Sequence, residues 1–190
     1  MGRNGKIYSF GKNNYGQLGF GDKIYLSSPK KICELIDIVK IYCNNNSSCC
    51  IDSNGSVWVF GDNTHCNLGF CNIKYNEIIS PIKNDKLYEI LDICMFHVLT
   101  FFKTSYGDIF VCGCNIYDII ANITKYENLD IYFLNDQVKS CNLDHIPYND
   151  DKISKYNAIH DPIYVINGSD IWSTLKNKQK SAISSEGVKL

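Results

Sequence analysis

The residues best equipped for chemistry in this chain are its ten cysteines and four histidines. Thiolate and imidazole together are the usual protein ligands of zinc. Structural zinc sites commonly draw their thiolates from paired C-x-x-C knuckles, and no such pair occurs. Cys112-x-Cys114 is the nearest approach, and His65, His97, His145 and His160 share no spacing that would complete a tetrahedral set. No metal is therefore expected. The cysteines are read as free thiols that pack as small apolar residues. Twenty carboxylates are scattered, Asp150-Asp151 being a loop pair, and none are placed to converge as an acid and a base. The chain holds no G-x-S-x-G nucleophile elbow and no G-x-x-x-x-G-K-[ST] phosphate loop. What remains is one glycine-rich stretch, Gly5-Lys-Ile-Tyr-Ser-Phe-Gly-Lys-Asn-Asn-Tyr-Gly-Gln-Leu-Gly19, which by composition could cradle a phosphate.

That stretch is not unique. It returns 50 residues later as Gly55-Ser-Val-Trp-Val-Phe-Gly-Asp-Asn-Thr-His-Cys-Asn-Leu-Gly69. Its first half returns again, 52 residues further on, as Gly107-Asp-Ile-Phe-Val-Cys-Gly-Cys-Asn115. A period near 50 marks a repeat architecture, so the glycines belong to a structural unit and not to a cofactor site.

Set in columns, the copies show what must position the loops. Ile7, Val57 and Ile109 align, as do Tyr8, Trp58 and Phe110, then Gly11, Gly61 and Gly113, then Asn13, Asn63 and Asn115. β-Branched and aromatic residues ahead of the closing glycine predict a buried strand. The segment after it predicts a turn-rich loop, with Leu18 and Leu68 folding back as apolar plugs. Ser28-Pro29 and Ser80-Pro81 predict edge strands, where proline is tolerated. Ile36–Cys43 and Ser48–Gly55 predict two more strands, followed by a hairpin turn at Asn54-Gly55. Ile90–Met95 and Val98–Phe102 repeat that plan before a turn at Tyr106-Gly107. Four short strands per repeat, with no sustained 3.6-residue period, predict a propeller blade.

The third copy loses its glycines at Tyr117–Ala121, and residues 122–152 read as an irregular polar insertion. Ile163–Ile166 predicts a strand, and Asp170-Ile-Trp172 continues the columns of Asp108-Ile-Phe110. The expected organisation is thus repeats over residues 1–121, the insertion over 122–152, a degenerate fourth repeat or terminal cap over 153–177, and a polar tail over 178–190. The basic run Lys176–Lys180 reads as a solvated end.

The segments Tyr8–Gly19 and Val57–Gly69 resemble the repeat of the regulator of chromosome condensation family, whose G-x-[VI]-[YW]-x-[WF]-G-x-N-x-x-G-Q-L-G signature recurs about every 50 residues and builds a β-propeller. The first copy matches nearly throughout. The second has Cys66-Asn67 where the family has Gly-Gln, and the third keeps only its first half. The resemblance implies an all-β fold, an incomplete propeller of about three to four blades with four short strands each. The family's usual ring has seven, so completion by a partner or by self-association is expected. The family often carries a histidine ahead of its second strand, and His160 is read as that structural residue. Trp58 and Trp172 are too few for the tryptophan-cluster light sensing of some members, and they are read as core.

The resemblance also implies a non-enzymatic protein-interaction module whose contacts lie in the blade-end loops, and Lys12, Asn14, Tyr15, His65 and Asn67 are the candidate contact residues. The implied partners are a small GTPase or a chromatin protein, with no cofactor. Other readings of such a fragment are a regulatory part of a larger enzyme, such as a ubiquitin ligase, or a structural piece of a large assembly. A formal net charge of −1 argues against nucleic acid as a partner. No apolar run reaches the ~18 residues of a membrane span and no apolar signal precedes the first repeat, so a cytoplasmic or nuclear location is expected.

Overall fold

The structure, a computed structural model, describes residues 5–70, 73–96, 98–113, 131–133, 163–167 and 170–185. Its strands form three antiparallel sheets. The first has two strands, β1 (Ile7–Gly11) and β2 (Leu26–Ile32). The second has four in chain order: β3 (Ile38–Asn44), β4 (Ser47–Asp52), β5 (Val57–Asp62) and β6 (Glu77–Asn84). The third runs β7 (Ile90–Met95), β8 (Leu99–Thr104), β9 (Asp108–Gly113), then β11 (Ile163–Asn167) and β10 (Ile131–Phe133). These are the unclosed blades of an incomplete propeller.

The glycine signature opens each sequence repeat, but in the second and third sheets it does not open the sheet. Its strands β5 and β9 are each third in their sheet, after a hairpin donated by the preceding repeat. Sheet and repeat are half a period out of step. β1 is the signature strand of the first sheet, and among the described residues it has no such hairpin beside it.

One consequence is visible at the closing glycines. Gly61 and Gly113 have positive φ (105° and 131°), and a Cβ on either would lie 2.2 Å from Asn46 O or 2.0 Å from Val98 O. Each glycine therefore lets a neighbouring carbonyl come close. Gly11 has φ 104°, but among the described residues a Cβ there would meet nothing within 4 Å. Two columns, Tyr8 with Phe110 and Phe10 with Phe60, tell the same story on the side chains. Phe60 and Phe110 are buried, whereas Tyr8 and Phe10 on β1 are 48% and 59% exposed.

The core joins the second and third sheets, and Ile7 and Ile32 of the first sheet belong to it. Ile38, Cys49, Ile51, Val57 and Val59 pack with Ile90, Ile93, Phe102, Phe110 and Cys112. The expected inward column, Ile7, Val57 and Ile109, is buried throughout, and the plugs Leu18 and Leu68 are buried as well. Pro29 and Pro81 fall in β2 and β6, each at a sheet edge, where a missing N–H is harmless.

Cys49, Cys50, Cys94 and Cys112 are buried free thiols, as read from sequence. Two corrections follow. Cys33 and Cys43 are exposed. Cys66 is disulfide-bonded, and since the other described cysteines are free its partner lies outside the described residues. The larger correction concerns the end of the chain. Ile163–Asn167 is a strand, but Asp170–Ser185 forms a helix, α1, where further strand columns were expected. Trp172, Leu175, Lys176 and Gln179 recur at spacings of three and four, and β7 is what they meet. Lys176 is accordingly no solvated end, since it pairs with Asp92 at 3.1 Å. The insertion over 122–152 falls outside the described residues except for β10, as does His160.

Candidate interaction loops

The two loops that follow β1 and β5 are built on one frame. Asn13 is fully buried at the foot of the first. Its Oδ1 accepts from Leu18 N at 2.9 Å, and its Nδ2 donates to Asp22 O at 3.0 Å and to Asp22 Oδ1 at 3.1 Å. Gly16 N donates to Asn13 O and Gly19 N to Gly16 O, which makes two successive turns. Asn63 repeats this. Its Oδ1 accepts from Leu68 N at 2.8 Å, and its Nδ2 donates to Phe70 O at 2.7 Å and Tyr75 O at 2.9 Å. Cys66 N donates to Asn63 O and Gly69 N to Cys66 O. Cys66 takes the place of Gly16 in this second frame and keeps its positive φ, 57° against 77°. An asparagine can do this job because one amide offers both a donor and an acceptor to backbone that no strand pairs.

The frame presses the first loop onto the second sheet. A Cβ on Gly16 would lie 2.6 Å from Ile79 Cα, and Gly21 N donates to Ile79 O at 2.9 Å. Lys23 pairs with Glu77 of β6. Gln17 reaches Asn46 at 3.3 Å, and Ser48 Oγ donates to Gln17 O at 3.0 Å.

What the frame leaves outward is a short list of side chains. Lys12 and Asn14 are exposed, and Tyr15 and His65 are partly exposed. Thr64, which sequence reasoning did not single out, is exposed beside His65. Asn67 does not project: it is buried, and its Nδ2 donates to Ser47 Oγ at 3.2 Å. It serves the loop's attachment and is removed from the contact set. Its partner Ser47 also donates to Asp62 O at 2.6 Å.

The thiols supply no reactive centre here. Burial pushes the Cys50 thiol up to about 12, and burial likewise raises Cys49, with the neighbouring thiols Cys50, Cys43 and Cys112 adding to it. A thiol so held stays protonated and inert near neutral pH. Among the described residues no cluster of three His, Cys, Asp or Glu could hold a metal ion. No described helix is long and apolar enough to cross a membrane.

Comparison with known proteins agrees with this geometry. Residues 4–51 match the family model of the regulator of chromosome condensation (RCC1) repeat, and residues 38–65 match a second model of that repeat. The zebrafish (Danio rerio) Protein RCC2 homolog is 39% identical over 79 residues, which are 40% of this chain and 16% of that protein. The mouse X-linked retinitis pigmentosa GTPase regulator is 36% identical over 66 residues, 33% of this chain and 7% of that protein. Among solved structures, human WBSCR16 superposes with a TM-score of 0.54 at 17% identity over 60% of this chain and 29% of its own. Yeast RCC1 (Prp20), solved bound to Kap60, superposes at 0.50 with 16% identity over 60% and 27%. These structural likenesses show a shared fold. The matched segments span only a small part of each relative.

Proposed function

We propose that the chain, whose residues 4–51 and 38–65 match models of the RCC1 repeat, is a non-enzymatic protein-interaction module whose partner is a small GTPase. The observation that carries this reading is the pair of matched loops. Both are clamped at the foot by a buried asparagine, and both leave polar and aromatic side chains outward. Rigid strands that present such loops are the usual architecture of a binding surface. Lys12, Asn14, Tyr15 and His65 are the contact residues in this reading, with Thr64 added. Support for a GTPase comes from the relatives: the mouse protein is called a GTPase regulator, and the yeast structure was described with binding properties to Gsp1p and histones. A chromatin protein is the other partner class in that description. The module would act in the cytoplasm or nucleus.

The test is affinity purification of the full chain with mass spectrometry, alongside nucleotide release from candidate GTPases. Recovery of a GTPase by the unaltered chain, and its loss in a Lys12→Glu/Tyr15→Ala variant, is expected. No GTPase recovered, or equal recovery by the variant, overturns the reading. Faster nucleotide release would add exchange activity to binding.

A second reading, a structural piece of a larger assembly, is favoured by a first sheet that has two strands, and by open space beside Gly11, among the described residues. Recovery of a stoichiometric complex without a GTPase would select it.

A further inference from the structure

Among the described residues β7 ends its sheet, and its outward backbone groups meet no described strand. They alternate, as the groups along a strand edge do, at Leu91, Ile93 and Met95. Side chains take them instead. Lys40 Nζ of β3 donates to Leu91 O at 2.5 Å. Lys176 Nζ of α1 donates to Ile93 O at 2.6 Å, and Gln179 Nε2 of α1 to Met95 O at 3.1 Å. The outward N–H of Ile93 is taken by the Asp92 carboxylate at 2.9 Å.

Asp92 also holds the helix down. Its Oδ2 accepts from Trp172 Nε1 at 3.3 Å, and its Oδ1 accepts from Lys176 Nζ at 3.1 Å and from Tyr42 OH at 2.5 Å. The Lys176 ammonium lies 5.2 Å from the Trp172 ring centre and 5.4 Å from that of Tyr42. Leu175 is fully buried, and its carbonyl accepts from Cys94 Sγ at 3.6 Å.

We propose that α1 is an edge guard. Its side chains stand in for an incoming strand along β7 and so deny that edge to a second copy of the chain. The occupant follows from the sequence of the edge. Ile90-Leu-Asp-Ile-Cys-Met95 is a six-residue run, mostly apolar and free of proline and lysine, the composition of a segment that adds strands. Two identical edges are self-complementary about a twofold axis, so antiparallel pairing of β7 with β7 of another copy is the contact the helix forbids. Asp92 has a double use: it blunts the strand with a charge and anchors the guard.

The test uses the full chain. Leu175→Asp detaches the helix, Lys176→Ala/Gln179→Ala removes its donors, Lys176→Arg keeps a donor, and Asn177→Ala changes only an exposed position. Amide hydrogen exchange at Leu91–Met95 and molar mass by light scattering are read across concentration, with circular dichroism as the folding check. In dilute, monomeric solution the first two variants should exchange about tenfold faster at the Ile93 amide, and by ~100 µM they should gain one chain in mass relative to the unaltered protein. Lys176→Arg and Asn177→Ala should do neither. Unchanged exchange in a folded detached variant shows that α1 does not guard the edge. Faster exchange with no gain in mass shows that the edge does not pair with a copy. Should Leu175→Asp lose its sheet signal, the double variant, which leaves Trp172 and Leu175 in place, decides on the same two readings.

Discussion

Alanine at Gly61 separates the cost of close strand approach from the cost of backbone conformation. Gly61 ends β5 at φ 105°, and the new Cβ would lie 2.2 Å from Asn46 O and 3.0 Å from Ser47 Cα. Both obstacles are backbone, so no side chain can swing away. Relief requires β4 to move off β5, against the ladder that pairs Ser47 with Gly61 and Cys49 with Val59. Positive φ alone costs an L-residue about 1–2 kcal/mol. Forced overpacking adds about 1–3 kcal/mol. Gly61→Ala should therefore lose about 2–5 kcal/mol, a large part of the ~5–15 kcal/mol typical of a whole domain. The chain carries its own control. Gly11 has φ 104° and no described neighbour within 4 Å of a new Cβ, so Gly11→Ala should lose only the backbone part, about 1–2 kcal/mol. The assay is urea unfolding followed by circular dichroism, with the midpoint compared at unchanged slope. A loss under ~1 kcal/mol for Gly61→Ala, or losses for the two variants within ~0.5 kcal/mol of each other, would refute the steric reasoning.

Three further outcomes follow from the same structure. Asn63→Ala orphans the buried Leu68 N–H and the carbonyls of Phe70 and Tyr75, so thermal unfolding should show a loss of at least about 1–3 kcal/mol; Thr64→Ala, one residue on but exposed, should stay within ~0.5 kcal/mol. Burial opposes ionisation of Asp92, but hydrogen bonds from Tyr42 and Lys176, the Lys176 charge and the Ile93 amide outweigh it and hold the carboxyl below its usual value. A depressed carboxylate stabilises fully above the unfolded value of about 3.9 and loses that contribution as pH falls through its folded value; acid titration of stability should thus flatten below about pH 4 in Asp92→Asn, and an unchanged acid limb would count against the anchor. Maleimide labelling of the native protein should reach exposed Cys33 well before buried Cys49 and Cys50, and early labelling of the latter pair by peptide mass spectrometry would mean that β4 is open.

Most of the strand plan was legible because it is written in periodic residues. Glycine, aromatic and asparagine columns announced β1, β5 and β9, and Pro29 and Pro81 marked β2 and β6 as edges. The loop frame was half legible. Leu18 and Leu68 stood out as apolar residues in polar loops, but nothing local showed that Asn67 turns inward, because its reason is Ser47 on another strand. The helix was hidden by a three-residue coincidence, Asp170-Ile-Trp172 against Asp108-Ile-Phe110. The better signal was the spacing of Trp172, Leu175, Lys176 and Gln179, followed by the helix-forming run Lys-Gln-Lys-Ser-Ala182. The free edge of β7 could not be read at all, since which strand ends a sheet depends on its neighbours.

The offset between repeat and sheet bears on how such a chain can be shortened, lengthened or pulled. A cut at Asn54-Gly55, the boundary that sequence suggests, parts β4 from β5 through the middle of a ladder. A cut in the turn between Asn84 and Ile90 leaves every ladder of the second sheet whole. Excision and grafting should therefore follow sheet boundaries, and a duplicated segment taken from the β2–β3 connection to the β6–β7 turn would insert as a complete blade. The second sheet also acts as a clasp that fastens the first repeat to the second, so a stretching force on the chain must shear its four-stranded ladder before those repeats can separate.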